Sequence, residues 1–241
     1  MEQGKPWWVN TLYTGALVAV MFLFLGPIGT KLGAWAFTTG FALIAVAALL
    51  SIIGFTLGVV AILIARRRDL SAAKQKLYVA LVISVAILAL LGNQFLKATS
   101  VPEIHNISTD VNDPPAFAAV VDLRGENSNP LAYDKTVLSE RQLTAYPEVR
   151  TLNSDLNPAD ALARASDLLE SMGLEIVNVD QASNIVEATA TTFWFGFKDD
   201  VVVRIRAADD GSLVDMRSVS RIGQSDLGAN AARIMTFLRQ F

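Results

Sequence analysis

Hydrophobic and polar positions divide this chain into two unlike halves. Residues 6–30 carry no charge, and the stretch from Leu12 to Ile28 is dense in Leu, Val and Phe. That run matches the roughly 17–25 residues a membrane-crossing helix needs, and it predicts a transmembrane helix over about 10–29. Trp7, Trp8 and Tyr13 stand at its start, where amphipathic rings favour the headgroup layer. A cleaved signal peptide fits less well, because the basic leader is weak, the apolar run is long and no small-x-small site closes it. Between Lys31 and Arg66 lie 34 uncharged residues. At about 1.5 Å per residue they exceed the ~30 Å hydrocarbon core, which predicts a tilted or protruding helix over about 37–65 with Gly33–Trp35 at the interface. A third span is expected over about 77–96.

Beyond Lys97 the apolar runs shorten and alternate. Pro102, Asp113, Pro114 and Pro115 make 98–116 an extended linker. Phe117–Leu123 is apolar enough for a strand, 124–133 is turn-rich, and 133–155 shows no clear period. Asn157 is placed to cap a helix with Pro158 at its first position, and Leu162, Ala165, Leu168, Leu169 and Met172 follow at helical spacing before Gly173. Strands are predicted at Leu174–Asp180, Ile185–Phe195, Val201–Ala207 and after the Asp209-Asp210-Gly211 turn. A two-residue turn near Phe197-Lys198 would set Trp194 opposite Val201 and Thr191 opposite Arg204. The next turn would set Arg206 opposite Asp215 and Arg204 opposite Arg217. On that register Val186, Ala188, Ala190, Trp194, Val201, Val203, Ile205, Val214 and Met216 share an apolar face, and Glu187, Thr189, Thr191, Arg204, Arg206, Asp215 and Arg217 the other. A last helix starts at Ser225 or Asp226, with Leu227, Ala231, Ile234, Leu238 and Phe241 as its narrow apolar stripe. The expected fold is a membrane-anchored α+β protein: three N-terminal transmembrane helices (1–97), a linker (98–116), and a two-layer domain (117–241) whose antiparallel sheet is covered on one face by two helices.

Charge sharpens this division. Residues 1–100 hold eight basic and two acidic side chains, the remainder twelve basic and twenty-one acidic. An acidic domain repels phosphate backbones, so nucleic acid is not an expected partner. The chain has no cysteine, which excludes disulfides, thiolate catalysis and Cys-based zinc sites. Arg66, Arg67, Arg68, Lys74 and Lys76 form a basic hairpin before the third span, and positive loops stay cytoplasmic. The N terminus is then cytoplasmic, and the C-terminal domain lies in the exported compartment, the periplasm if a bacterial inner membrane is spanned. No span carries an ionisable residue at mid-depth, which argues against a proton path or ion site.

Candidate chemistry is sparse. Gly54 and Gly58 make a Gly-x-x-x-Gly face on the second span, extended by Ala47, Ser51 and Ala61, for packing against a partner or, more simply, against this chain's own helices. The lone histidine, His105, lies in Glu103-Ile-His-Asn-Ile-Ser-Thr-Asp110. Adjacency in sequence does not make a catalytic triad, and a polar residue docking the linker is the plainer reading. Asn106-Ile-Ser108 matches a glycosylation acceptor. Asp110 and Asp113 lack a third ligand group, so no metal site is expected. Arg204, Arg206 and Arg217, with Arg221, Thr189 and Thr191 near, form the one candidate site, for an anion or an acidic partner, because guanidinium groups present paired donors. The alternative is a solvated face in which Glu187 and Asp215 balance the arginines, each exposed pair contributing about 0–1 kcal/mol. Gly223–Gly228 ahead of a helix suggests phosphate, but Ala229 and Asn230 stand where Walker A needs Lys and Ser/Thr. No cofactor is expected.

Several strings resemble one family: His105-Asn-Ile-Ser-Thr-Asp ahead of Pro114-Pro115, Tyr146-Pro-Glu-Val, Glu187-Ala-Thr, Trp194-Phe-Gly-Phe-Lys-Asp-Asp-Val, and Val214-Asp-Met-Arg-Ser-Val-Ser-Arg-Ile-Gly-Gln-Ser-Asp-Leu-Gly-Ala-Asn. They are similar to the bacterial, membrane-associated family designated domain of unknown function 1499, over about Ile104–Leu238. The resemblance implies no activity, cofactor or catalytic residue. Two functions are therefore expected in turn: a non-catalytic periplasmic binding or assembly module, such as an accessory subunit of a membrane complex; or a hydrolase-like periplasmic enzyme acting on an anionic substrate at the arginine face. The expected partners are the lipid bilayer and a membrane protein.

Overall fold

A computed structural model describes residues 6–68 and 70–241. The chain divides into two compact units, the first reaching to Lys97 and taking in Phe193–Gly196, the second covering the rest.

The first unit holds three long helices, α1 (Trp7–Lys31), α2 (Phe37–Arg67) and α3 (Ser71–Ser100, whose last three residues fall in the second unit). Each is long and apolar enough to cross a membrane. Helices α1 and α3 run past their predicted bounds at both ends, and α2, which starts at Phe37 as predicted, continues to Arg67, because polar and basic residues continue a helix once backbone bonds are in place. Gly33, at φ +73°, ends α1 by donating to the Thr30 carbonyl, and Ala34 donates to that of Gly29. On α2 the buried positions are small apart from Ile62, namely Gly40, Ala47, Ser51, Gly54, Gly58, Ala61 and Ala65, while Leu49, Ile52, Leu57 and Leu63 are each more than half exposed. Small residues inside and large apolar ones outside is the arrangement a lipid solvent favours.

The second unit is an α+β domain built on a six-stranded antiparallel sheet. Its strands are β1 (Asn106–Ser108), β2 (Leu152–Ser154), β3 (Glu175–Asp180), β4 (Ile185–Thr191), β5 (Lys198–Ala208) and β6 (Gly211–Ser220). Their order is β1-β6-β5-β4-β3, with β2 sharing the β6 edge. Helices α5 (Pro158–Ser171) and α6 (Ala229–Gln240) place Ala161, Leu162, Ala165, Leu169, Ala231, Ile234 and Phe237 in one core with Val186, Ala188, Val201, Val203, Ile205, Val214 and Met216. Asn157 caps α5 through the Asp160 amide, with Pro158 at the first position, as its sequence predicts.

Several expectations need correction. The 133–155 stretch is not irregular: it contains α4 (Lys135–Ala145), capped by Asp134, and β2. Phe117–Leu123 forms no strand, only a 3-10 turn at Val121–Leu123, and the linker supplies β1 instead. Helix α6 begins at Ala229, because Gly228 is left-handed (φ +78°) and the Asp226 carboxylate accepts from the Gly228 and Asn230 amides, leaving Leu227 before the helix. Thr191 pairs with Lys198, not Arg204, so β4 stops at Thr191 and Trp194 lies in the connecting loop, 43% exposed rather than buried. That loop is closed by the Thr192 amide on the Phe197 carbonyl and the Phe197 amide on the Thr192 hydroxyl. Across β5 and β6, Arg204 opposes Asp215 and Val202 opposes Arg217. The first register differs from the predicted one by six residues and the second by two. Both shifts are even, so every strand residue keeps its predicted face. Gly211 makes the tight β5–β6 turn possible: at φ +137° an added Cβ would lie 2.1 Å from the Ser154 carbonyl.

Candidate functional site

The second face of the sheet carries the candidate residues, and strand alternation puts them there. Glu187 and Thr189 on β4, Asp200, Arg204 and Arg206 on β5, and Asp215 and Arg217 on β6 point away from α5 and α6. The segment 109–133, nearly free of regular structure, covers this face. It has no ladder of its own, so its backbone groups must find side chains. Glu187, 1% exposed, receives the amides of Ala118, Ala119 and Val120 at 3.0, 2.9 and 3.0 Å.

Three groupings follow along the face. In the first, fully buried Asp215 accepts from Arg204 (3.1 Å), Arg206 (2.7 Å), Thr151 (2.6 Å) and Thr109 (3.2 Å). Arg204 also pairs with Asp113 at 2.9 Å and donates to its carbonyl, while Asp110 lies 3.4 Å from Arg206. In the second, Arg217 donates to Asn106 Oδ1 (3.0 Å), to the Pro115 carbonyl (3.0 Å) and to the Leu131 carbonyl, with the rings of Phe117 and Tyr133 at 5.1 and 5.6 Å. Burial lowers the Arg217 pKa to about 10, with Tyr133 opposing the shift and Arg124 adding to it. Burial likewise raises that of Tyr133. In the third, buried Asp200 takes Arg124, Arg221 (2.7 Å) and the Thr189 hydroxyl (3.1 Å).

The structure thus brings Arg204 and Arg206 together on Asp215, joins Arg221 and Thr189 through Asp200, and sets Arg217 over the rings of Phe117 and Tyr133. Thr191 is exposed at the end of β4 and joins neither group. Four of the arginines on this face have carboxylate partners: Arg204 and Arg206 on Asp215, Asp110 and Asp113, and Arg124 and Arg221 on Asp200, while Arg217 is held by carbonyl and amide oxygens and Glu187 by backbone amides. Sequence reasoning missed Glu187 as an amide acceptor and the partnership of Arg124 with Asp200, since neither residue has a periodic signal linking it to its partner.

The remaining candidates separate. His105 acts through its backbone, its carbonyl accepting from the Ser220 amide and from Asn230 Nδ2, and its ring faces the Gln224 carbonyl at 3.4 Å. The Ser108 hydroxyl donates to the Asp110 carbonyl, so these three residues form no relay. Among the described residues no group of three His, Cys, Asp or Glu side chains is placed to hold a metal. In the first unit, a Cβ on Gly54 would lie 2.6 Å from Ser84 Oγ and one on Gly58 3.7 Å from Leu81, so both glycines face α3 of the same chain.

Three helices suited to a bilayer, followed by an antiparallel sheet with helices, define a membrane-associated α+β protein. Residues 106–241 match the family described as "Protein of unknown function (DUF1499)", which is more than half of the chain, and the protein belongs to that family. No curated protein matches it.

Proposed function

We propose that the chain is a binding or assembly module held at the outer face of a bacterial inner membrane, an accessory subunit of a membrane protein complex. The N terminus is cytoplasmic and the α+β domain periplasmic, a topology supported by the basic hairpin at Arg66–Lys76. The observation that carries the functional reading is the engagement of the polar face. Arg204, Arg206 and Arg221 pair with Asp215 and Asp200, while Arg217 and Glu187 bind the backbone of the 109–133 cover. Groups committed in this way hold a surface in shape and are not poised to attack a substrate. Copurification from native membranes in mild detergent tests the proposal: a stoichiometric membrane-protein partner is the expected result, and a lone protein would refute it.

A second reading is favoured by one detail. Among the described residues, Arg204 Nε and Arg206 Nε are buried without a hydrogen-bond partner, and the Arg206 side chain is 39% exposed. Buried donors of this kind await an acceptor, and the anionic substrate of a hydrolase-like enzyme would supply one there. A small anion retained through purification of a protein without partners would support that reading.

A further inference from the structure

The loop joining β4 to β5 is unlike an ordinary hairpin turn. Polar residues, Gly and Pro usually fill such turns, whereas this one reads Phe193-Trp194-Phe195-Gly196, with Phe193 81% and Trp194 43% exposed. This tetrapeptide belongs to the first unit, with the end of α1 and the start of α2. There Trp194 stacks on Phe24 with ring centroids 5.8 Å apart, and Phe195 meets Phe41 at 4.8 Å.

The place is shaped for these rings. A Cβ on Gly40 would come within 2.9 Å of the Phe195 ring. Gly196 turns at φ +69°, where a Cβ would meet the Lys31 side chain at 2.9 Å. Lys31 closes α1, donates from Nζ to the Phe193 carbonyl at 3.1 Å and lies over the Phe193 ring at 5.3 Å. A lysine ending a spanning helix keeps its ammonium at headgroup level while its stem lies along apolar surface. That fixes depth: a ring 5.3 Å from Nζ is at the same level. Trp35, whose indole donates to the Gly26 carbonyl at 3.2 Å, belongs to the same belt.

We propose that Phe193 and Trp194 form an interfacial membrane anchor, their exposed faces immersed in the phospholipid headgroup layer. This rests on the helices spanning a bilayer and is independent of which protein partner the module has. The lack of cysteine allows a direct test on the full chain in phosphatidylethanolamine–phosphatidylglycerol vesicles. Single nitroxide labels are placed at Phe193→Cys, at Leu57→Cys on the exposed side of α2, and at Asp209→Cys in the turn at the far end of β5. Collision with dissolved oxygen and with an aqueous nickel chelate is read by power saturation. The expected result is a label at 193 several-fold more accessible to oxygen, relative to nickel, than the label at 209, and shallower than the one at 57. A label at 193 as nickel-accessible as that at 209 overturns the anchor while leaving the spans intact. Shielding at 193 from both reagents also overturns it, in favour of cover by protein. Nickel access at 57 overturns the spanning reading and the anchor together. A second measurement keeps the native residue: with Trp7, Trp8 and Trp35 changed to Phe, Trp194 emission must be quenched more by headgroup-proximal nitroxide lipids than by iodide.

Discussion

Asp215 is the sharpest place to perturb the polar face. Changing it to Asn preserves shape and removes one charge. The hydroxyls of Thr109 and Thr151 can turn to accept, so the amide settles with its oxygen towards the arginines. What disappears is the charge facing Arg204 and Arg206 in a site where the carboxylate is fully buried. Removing one partner of a buried pair costs about 3–5 kcal/mol. Asp110 and Asp113 remain near the same arginines and offset part of this, so about 2–4 kcal/mol is expected. Asp113, 71% exposed on its side chain and paired through its carboxylate with Arg204, provides the comparison: Asp113→Asn should cost about 0–1 kcal/mol. Urea unfolding of the C-terminal unit, followed by pulse proteolysis of the full chain in detergent, measures both. With a urea slope of about 1–3 kcal/mol per molar, Asp215→Asn should lower the midpoint by about 1 M or more and Asp113→Asn by a small fraction of that. Equal midpoints for the two variants would refute the assignment of Asp215 as the buried hub.

Reporter fusions after Lys76 should behave as cytoplasmic and fusions after Ser100 as periplasmic; an exported hairpin would reverse the proposed topology. Gly54→Ala should destabilise the helical unit by about 1–3 kcal/mol because its methyl meets Ser84 Oγ at 2.6 Å, whereas Gly58→Ala, 3.7 Å from Leu81, should be near neutral in a thermal aggregation assay in detergent. Asp226, whose pKa is raised above 3.8 by burial and by Asp199 against the opposing pull of the Asn230 and Gly228 amides and Arg233, binds its proton more tightly folded than unfolded. Its contribution therefore diminishes as pH rises from the unfolded pKa through the folded one, and Asp226→Asn should flatten that decline in a melting profile above pH 4 while lowering stability at every pH through the lost Asn230 amide bond.

The legible and illegible parts of this chain differ for physical reasons. Uncharged runs of helical length, the Asn157-Pro158 start of α5 and the inward face of β4, β5 and β6 are readable because each follows from a local period or cap. The arginine-bearing face is also readable, but not what lies on it. Residues 109–133 carry turn signals and no period, so nothing local says they fold back over Arg217. The alternative of a solvated face does not describe Arg217, which is 4% exposed and held by two carbonyls and an amide oxygen from three separate places in the chain. The two hairpin registers differ from expectation in opposite ways: a minimal turn underestimates the β4–β5 loop, whereas at β5–β6 the turn is tighter than predicted, with Ala208 paired directly to Gly211. Six residues, 192–197, connect β4 to β5, and the aromatic side chains among them read as strand in the sequence.

Why arginine recurs on this face follows from the cover. An irregular segment leaves carbonyls pointing in several directions, and one guanidinium offers five donors in a fixed fork. Arg217 reaches Pro115 and Leu131, Arg221 reaches Leu123, and Arg124 reaches Asn129, while Glu187 serves the amides between them. Each of these side chains thus completes the backbone bonding of 109–133 as well as the charge balance beneath it. A lysine at position 217 would keep the charge but supply three donors from one atom, too few directions for acceptors so widely set. The same logic governs how any loss of partner binding in arginine variants must be interpreted. Arg206 touches the cover through the Asp110 carboxylate and, among the described residues, makes no bond to its backbone and leaves its Nε unpartnered, so a ligand's contribution is least mixed with the cover's there. If Arg206→Gln abolishes a partner or an anion while proteolysis within 124–129 stays slow, the sheet face itself is the contact. If binding is lost only when that segment becomes cleavable, the recognised surface is the cover, and the arginines beneath serve it by holding it down.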